Sequence, residues 1–326
     1  LGASGSHQVE RPWSQSGGHS TRSARFAGWA RIRQLVGAFG GTRERFNLLE
    51  RKIPGMDAVG FIGCGRMGRT LLEALLDAGA LEPSRVVVST RTPARVQDLP
   101  SRHPGLRLVA ENAEVARACD RIFLAVKPGQ IRDVAAEIAP ALRPGAHLLS
   151  LAVCVKMEVI ARVVETKISR VIPTVAVAAR AGVSLVCHDA RVGPDDAAFV
   201  ERLLAPVSEV MVVAEDELDA SSTLTGAGPA FIATACREVA RALTEASGIA
   251  PDRAERLVLA TLYGSARLLW EKRVPADEVI DQVATRGGIT EDGLRVLHRE
   301  LPAVLAAVHQ ATSEKSALVR SAVENG

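Results

Sequence analysis

Ala58-Val59-Gly60-Phe61-Ile62-Gly63-Cys64-Gly65-Arg66-Met67-Gly68-Arg69-Thr70-Leu71-Leu72-Glu73-Ala74-Leu75-Leu76 is the stretch on which the fold turns. Its first five residues are a short apolar run that reads as a strand. The apolar positions of 70–76 suit a helix packed on a sheet. Between them stands the pattern G-x-G-x-x-G, and strand, glycines, helix is the setting in which that pattern means dinucleotide binding. Gly63 permits the tight turn, Gly65 lets the backbone approach a pyrophosphate, and Gly68 lets the helix sit close to the strand. The helix N-terminus then offers unpaired N–H groups and a positive dipole end to the phosphates. Cys64, Arg66 and Met67 complete the cradle, with Cys64 read as a small filler.

The next strand bears on which dinucleotide. Arg85-Val86-Val87-Val88-Ser89 ends about 20 residues past the glycines, where an NAD-selective protein places an acid on the ribose 2′-hydroxyl. Here the tip reads Ser89-Thr90-Arg91-Thr92, with no carboxylate. Hydroxyls and a guanidinium suit a 2′-phosphate, because Arg meets phosphate oxygens with a planar fork. NADP(H) is therefore the preferred cofactor, with NAD(H) admitted, and Ser89 and Arg91 join the cofactor-binding set. Arg95 is either a second anion ligand or a solvated helix residue.

Alternation continues downstream: strands at 106–109, 121–126, 147–151 and 170–172, helices at 112–119, 129–139 and 157–164. Such a pattern means a doubly wound parallel sheet, an α/β fold of Rossmann type. Ala125, Val126, Lys127 and Pro128 end the fourth strand, at the edge where ligands bind in such sheets, and are cofactor candidates. Lys127 either reaches the cofactor or caps the strand end. Two further runs, 182–187 and 209–213, flank a helix at 197–204 and extend the same sheet.

Beyond Asp216 strand signals stop, and helices are expected at 229–246, 252–272, 276–284, 291–299 and 303–322. A block this short with so many apolar faces is completed by a second copy of itself, so a homodimer or higher homo-oligomer is expected. The division is 1–55 as an extension, 56–214 as dinucleotide-binding domain, and 215–326 as helical dimerisation and substrate domain. Two breaks stand out. Leu224-Thr225-Gly226-Ala227-Gly228-Pro229-Ala230-Phe231 opens a helix with a proline in its first turn. Ala284-Thr285-Arg286-Gly287-Gly288-Ile289-Thr290-Glu291-Asp292 places Thr290 at an N-cap, with acids following. Together they read as two helix N-termini facing a substrate carboxylate.

The chain has 326 residues, 47% apolar and 24% charged, enough for about two domains. No run of 18 apolar residues free of charge occurs, so no membrane-spanning helix is expected. Residues 1–55 hold nine Lys or Arg against three acids, and the remainder 31 against 34, so the net charge of +3 comes from the leading segment. With no basic excess on the body, nucleic acid is not an expected partner. The five cysteines are scattered with no C-x-x-C pair, which excludes a disulfide framework and a zinc knuckle. No metal is expected, and the compartment read from these cysteines is the reducing cytoplasm. The leading segment, Arg-rich and acid-poor, reads as an upstream extension before Met56, with a short helix at Phe26–Val36 and some transit-peptide character.

With these blocks in order, the sequence resembles the pyrroline-5-carboxylate reductase family, whose members reduce a cyclic imine to L-proline with NAD(P)H. The resemblance runs from Met56 to about Arg320. It is carried by the cradle at 63–68, Lys127-Pro128, Arg170-Val171-Ile172-Pro173, Leu224–Phe231 and Thr285–Thr290. It implies a nucleotide-binding domain followed by a helical dimerisation domain. Three motifs depart from the family pattern. P-N-T-P stands here as Pro173-Thr174-Val175-Ala176, putting a hydroxyl at Thr174 where an amide is expected near the nicotinamide. S-G-S-G-P-A-Y stands as Thr225–Phe231, and S-P-G-G-T-T as Thr285–Thr290.

Reduction of a C=N bond asks mainly for positioning and exclusion of water, which agrees with the lack of an acid–base pair. His188, His298 and His309 read as surface or packing residues. On this reading N–H groups around Gly287, Gly288 and Thr290 are expected to bind the substrate carboxylate at the helix N-terminus, the Thr290 hydroxyl to bond the imine nitrogen or the nicotinamide amide, and Thr290 and Thr285 to be the catalytic residues. Gly226 and Gly228 let the neighbouring helix approach the substrate ring. A β-hydroxyacid dehydrogenase is a weaker alternative, because 229–246 holds no lysine to serve as its acid–base. A reductase-like regulatory or cofactor-binding paralogue without proline synthesis is the other.

Overall fold

The computed structural model describes residues 58–324, so the Phe26–Val36 helix and the reading of 1–55 lie outside the described residues. Eight strands form one sheet: β1 Val59–Ile62, β2 Val86–Ser89, β3 Arg107–Val109, β4 Arg121–Leu124, β5 His147–Ser150, β6 Lys167–Pro173, β7 Gly182–His188 and β8 Ser208–Val212. Their spatial order is β3-β2-β1-β4-β5-β6-β7-β8. The first six run parallel, whereas β7 is antiparallel to β6 and β8 parallel to β7. The extension expected for the last two strands is present, but in reversed direction. The link at 174–181 is too short for a parallel crossover, which takes a dozen or more residues, so the chain turns back on itself.

Helices cover both faces. On one lie α1 (Arg66–Asp77) and α2 (Leu99–Arg102); on the other lie α3 (Asn112–Ala118), α4 (Ile131–Ile138) and α5 (Met157–Ala161); α6 (Pro194–Leu204) shares the first face. Strand residues divide between the faces with period two. Val59, Phe61, Val86, Val88 and Phe123 join Leu71, Leu72 and Leu75 of α1, while Ile62, Val87, Ile122 and Leu124 join Val115 and Ile131. Phe61 and Phe123 stack with ring centroids 4.6 Å apart, which locks β1 to β4 beneath the glycine turn.

The remaining helices are α7 (Glu215–Ser247), α8 (Pro251–Trp270), α9 (Ala276–Val283) and α10 (Ile289–Glu324). Three sequence expectations differ from the structure. The first break does not open a helix, because Pro229 lies inside the 33-residue α7. Likewise 291–299 and 303–322 are one helix, with Pro302 inside the 36-residue α10. An interior proline costs a helix one backbone hydrogen bond and strains the preceding turn, but does not end it when flanking turns propagate. The true start of α7 carries Glu215, Asp216 and Glu217 in its first turn, and Gly248 ends it at φ 69°. Thr290 is not an N-cap either, since α10 begins at Ile289 and Thr290 is its second residue. Many large apolar side chains of this block are exposed in the single chain, among them Phe231, Ile232, Leu262, Trp270, Leu301 and Leu305.

Candidate functional site

A crevice of about 670 Å³ opens at the carboxyl ends of β1, β2 and β4, where neighbouring strands lead to opposite faces of the sheet. That is the ligand-binding edge of an open α/β sheet. Its floor is the glycine turn, and each glycine occupies a distinct steric situation. Gly63 sits at φ 80°, donates its N–H to the Ser89 carbonyl at 2.9 Å, and would drive a Cβ to 2.6 Å from Val126 Cγ1. Gly68 would place a Cβ 2.7 Å from that of Ala125, so it sets the close approach of α1 to β4. A Cβ on Gly65 meets only the Ala125 carbonyl at 4.0 Å, so the space above it is open to a ligand.

Helix α1 begins at Arg66 with no side-chain cap at Gly65 and no acid in its first turn. Its leading N–H groups therefore face the crevice without a competing carboxylate, as phosphate binding requires. Cys64, Arg66 and Met67 line the same wall. Burial pushes the Cys64 thiol up to about 12, which keeps it a neutral filler. These residues fit a dinucleotide: room over Gly65, free N–H groups beside it, and no acid in the first turn of the helix that would hold the phosphates.

At the tip of β2, Thr90, Arg91, Thr92 and Arg95 line the crevice. Ser89 does not. It is buried, and its hydroxyl donates to Asn112 Oδ1 at 2.8 Å. Asn112 in turn donates to Glu137 Oε2 at 3.0 Å, so β2, α3 and α4 meet at one polar chain on the crevice wall. Sequence reading passed over Asn112, Gln130 and Asp133, because a polar residue early in a helix carries no local sign of facing a cleft. On the β4 side Ala125, Val126 and Lys127 line the crevice; Pro128 opens the turn Pro128–Gln130 and is not part of the lining. Thr174 is also absent from it. Its buried hydroxyl accepts the Val183 N–H at 3.1 Å and pins the β6–β7 reversal.

Among the described residues, those of the helical block do not line this crevice. Gly226 and Gly228 lie within α7, with nothing within 4 Å of an added Cβ. Gly287 has φ 72° and donates its N–H to Glu291 Oε2 at 2.6 Å, so a carboxylate already sits on this amide. Gly288 donates to the Thr285 carbonyl at 2.9 Å, and Thr285 Oγ1 packs 2.6 Å from where a Gly288 Cβ would be. Thr285 and Gly288 thus form one tight turn that delivers half-buried Thr290 into α10.

Two polar clusters were not read from the sequence. Arg170 of β6 is fully buried and pairs with Asp219 and Glu215 of α7, and Asp219 also meets Arg320 of α10. His147, Ser169 and His188 form a hydrogen-bonded chain across β5, β6 and β7, with separations of 2.7 and 2.6 Å. Burial, with the Arg121 charge second, lowers His147 to about 3 and so keeps it neutral.

Comparison with known proteins adds the following. A family described as "Pyrroline-5-carboxylate reductase dimerisation" matches residues 215–318. One described as "NADP oxidoreductase coenzyme F420-dependent" matches residues 58–165. Pyrroline-5-carboxylate reductase 3 of Bacillus subtilis is 31% identical over 270 residues, covering 82% of this chain and 98% of its own length. Pyrroline-5-carboxylate reductase of Escherichia coli is 30% identical over 267 residues, covering 81% and 98%. The structure of a pyrroline-5-carboxylate reductase from Coxiella burnetii superposes with a TM-score of 0.73 at 27% identity, covering 80% of this chain and 97% of that one. No described helix is long and apolar enough to cross a membrane.

Proposed function

The chain belongs to the pyrroline-5-carboxylate reductase family of oxidoreductases, and from that premise we propose that it reduces the C=N bond of 1-pyrroline-5-carboxylate to L-proline. NADP(H) is the preferred cofactor in this reading and NAD(H) is admitted. The observation that carries it is the crevice floor: an open space over Gly65, bounded by two glycines that sterics forbid to change and by an uncapped helix N-terminus. A reduced nicotinamide supplies the hydride when bound.

The chain's own residues have the remaining tasks. N–H groups at the start of α1 hold the pyrophosphate. Arg91 and Arg95, with Thr90 and Thr92, meet a ribose 2′-phosphate at the tip of β2, where the strand ends without an acid. Residues 215–326 supply the imine site, with the substrate carboxylate on the N–H groups of Gly287, Gly288 and Thr290. A Thr290 or Thr285 hydroxyl sits by the ring nitrogen, which takes up the proton that balances the reduction. Gly226 and Gly228 remove side chains from the face of α7 that closes over the ring. Two copies of 215–326 cover the apolar side chains left exposed on α7, α8 and α10, giving a homodimer.

Following NADPH absorbance with authentic 1-pyrroline-5-carboxylate tests the activity. Turnover with proline as product supports the reading, and binding of NADPH without turnover assigns the chain to a non-catalytic paralogue. Unchanged turnover and affinity in Thr290→Ala would remove that hydroxyl from the site.

A further inference from the structure

Arg69 stands one residue past the last glycine of the cradle, on the first turn of α1, yet it does not line the crevice. Its guanidinium crosses to the segment that follows β2. Nη1 and Nη2 grip both carboxylate oxygens of Asp98 at 2.9 and 2.6 Å, and Nη1 also donates to the backbone carbonyl of Arg95. Glu73, one turn on along α1, accepts from Arg69 at 3.1 Å and pairs with Arg102 beyond the segment. The near end of the segment is tied to the same cradle, since Gly63 donates its N–H to the Ser89 carbonyl at 2.9 Å. Residues 90–98 are thus fastened at both ends to the element that holds the phosphates.

We propose that Arg69 and Asp98 are positioning residues for nucleotide selectivity: their two-pronged ion pair sets the distance between the phosphate-binding helix and the loop presenting Arg91 and Arg95. The inference rests on the 2′-phosphate reading of that loop. Its physical basis is that the span between the pyrophosphate and the ribose 2′ position is a property of the nucleotide. A protein that binds both must hold its two binding elements at a matching span, and a bidentate Arg–carboxylate fork fixes orientation as well as distance. A nucleotide lacking the 2′-phosphate needs the helix alone and does not register a slackened loop.

The test is binding of NADPH, NADH and adenosine 2′,5′-bisphosphate to the full chain, by titration calorimetry. The variants are Asp98→Ala, Arg69→Lys, and Arg91→Ala in parallel. Asp98 is substantially exposed, and the thermal transition of each variant checks the fold. Positioning requires Asp98→Ala to weaken NADPH and the bisphosphate about tenfold, the scale of one charge-assisted hydrogen bond, while NADH changes by less than about twofold. Arg69→Lys, which keeps the charge but not the fork, should give a smaller loss of the same kind. Charge alone predicts the opposite sign, because removing a carboxylate near a dianion tightens its binding. Unchanged or tighter NADPH binding in Asp98→Ala, or equal weakening of NADPH and NADH, therefore overturns the inference. Should Arg91→Ala abolish the NADPH preference while Asp98→Ala keeps it, the inference alone fails. Should the wild type show no preference, the reading of the loop fails with it.

Discussion

Arg170 and Asp219 form an ion pair sealed from water: Nη2 donates to Oδ1 at 2.7 Å, and both side chains are buried. The pair joins β6 to the second turn of α7. Asp219 Oδ1 also accepts the Cys154 N–H at 3.3 Å, fixing the segment after β5, where Cys154 itself sits at φ 61°. Removing Arg170 leaves the buried Asp219 carboxylate with Arg320 as its one remaining cation, at 3.4 Å, a loss of up to about 3–5 kcal/mol, whereas replacing both with apolar groups is cheaper. Arg170→Met should lose stability on that scale in urea unfolding, and Arg170→Met with Asp219→Leu should recover much of the loss. Additive losses in the double variant would show that the pair is not a unit.

The three cradle glycines should separate folding from binding. Gly63→Ala meets both a positive φ and the Val126 methyl, and Gly68→Ala meets the Ala125 methyl, so each should destabilise the fold by about 2 kcal/mol or more. Gly65→Ala meets no protein atom closer than 4.0 Å and should leave the thermal transition nearly unmoved. Its methyl stands instead where the ligand's phosphates go, so nucleotide binding should fall at least tenfold. Normal NADPH affinity in Gly65→Ala would mean that the nucleotide does not lie over this turn.

Glu291 occupies the Gly287 N–H that the proposed function gives to the substrate carboxylate. Substrate must displace it, and the two carboxylates repel while both are near. Glu291→Ala should therefore lower KM for the imine severalfold with kcat little changed. The helix start loses a favourable acid, worth about 0.3–1 kcal/mol of stability. A raised KM would instead make Glu291 a supporting residue of the loop.

His147 gives the protein an acid sensitivity of its own. Its folded pKa, about 3, lies below the ordinary histidine value of 6.5 because burial disfavours the charged ring. The unfolded chain therefore binds more protons between those values, and stability falls as pH drops through 6.5 toward 3. Above pH 6.5 this contribution is complete and flat. Between pH 7 and pH 5 the loss from this one group is about 2 kcal/mol. Denaturant melts of wild type and His147→Gln over that range should show the difference, and parallel curves would mean the ring is accessible in the fold. His188, also lowered by burial, acts in the same direction.

Reading the chain residue by residue was enough for the glycine turn, the alternation of strands and helices, and the helical end. Those features are local: a positive φ, a two-residue period and a 3.6-residue period are written into neighbouring side chains. Assignments that turned on a distant partner were not legible. Ser89 and Thr174 are hydroxyls at plausible cofactor positions, yet Asn112 and Val183, brought up by folding, claim them. Arg170 looks like any strand arginine until Asp219, 49 residues on, closes over it. Pro229 and Pro302 obeyed no local rule of helix ends, because hydrogen bonds on either side outweigh the one that each removes. Short-range backbone constraint can be seen one residue at a time; competition for a hydrogen bond is settled only when the competitors meet.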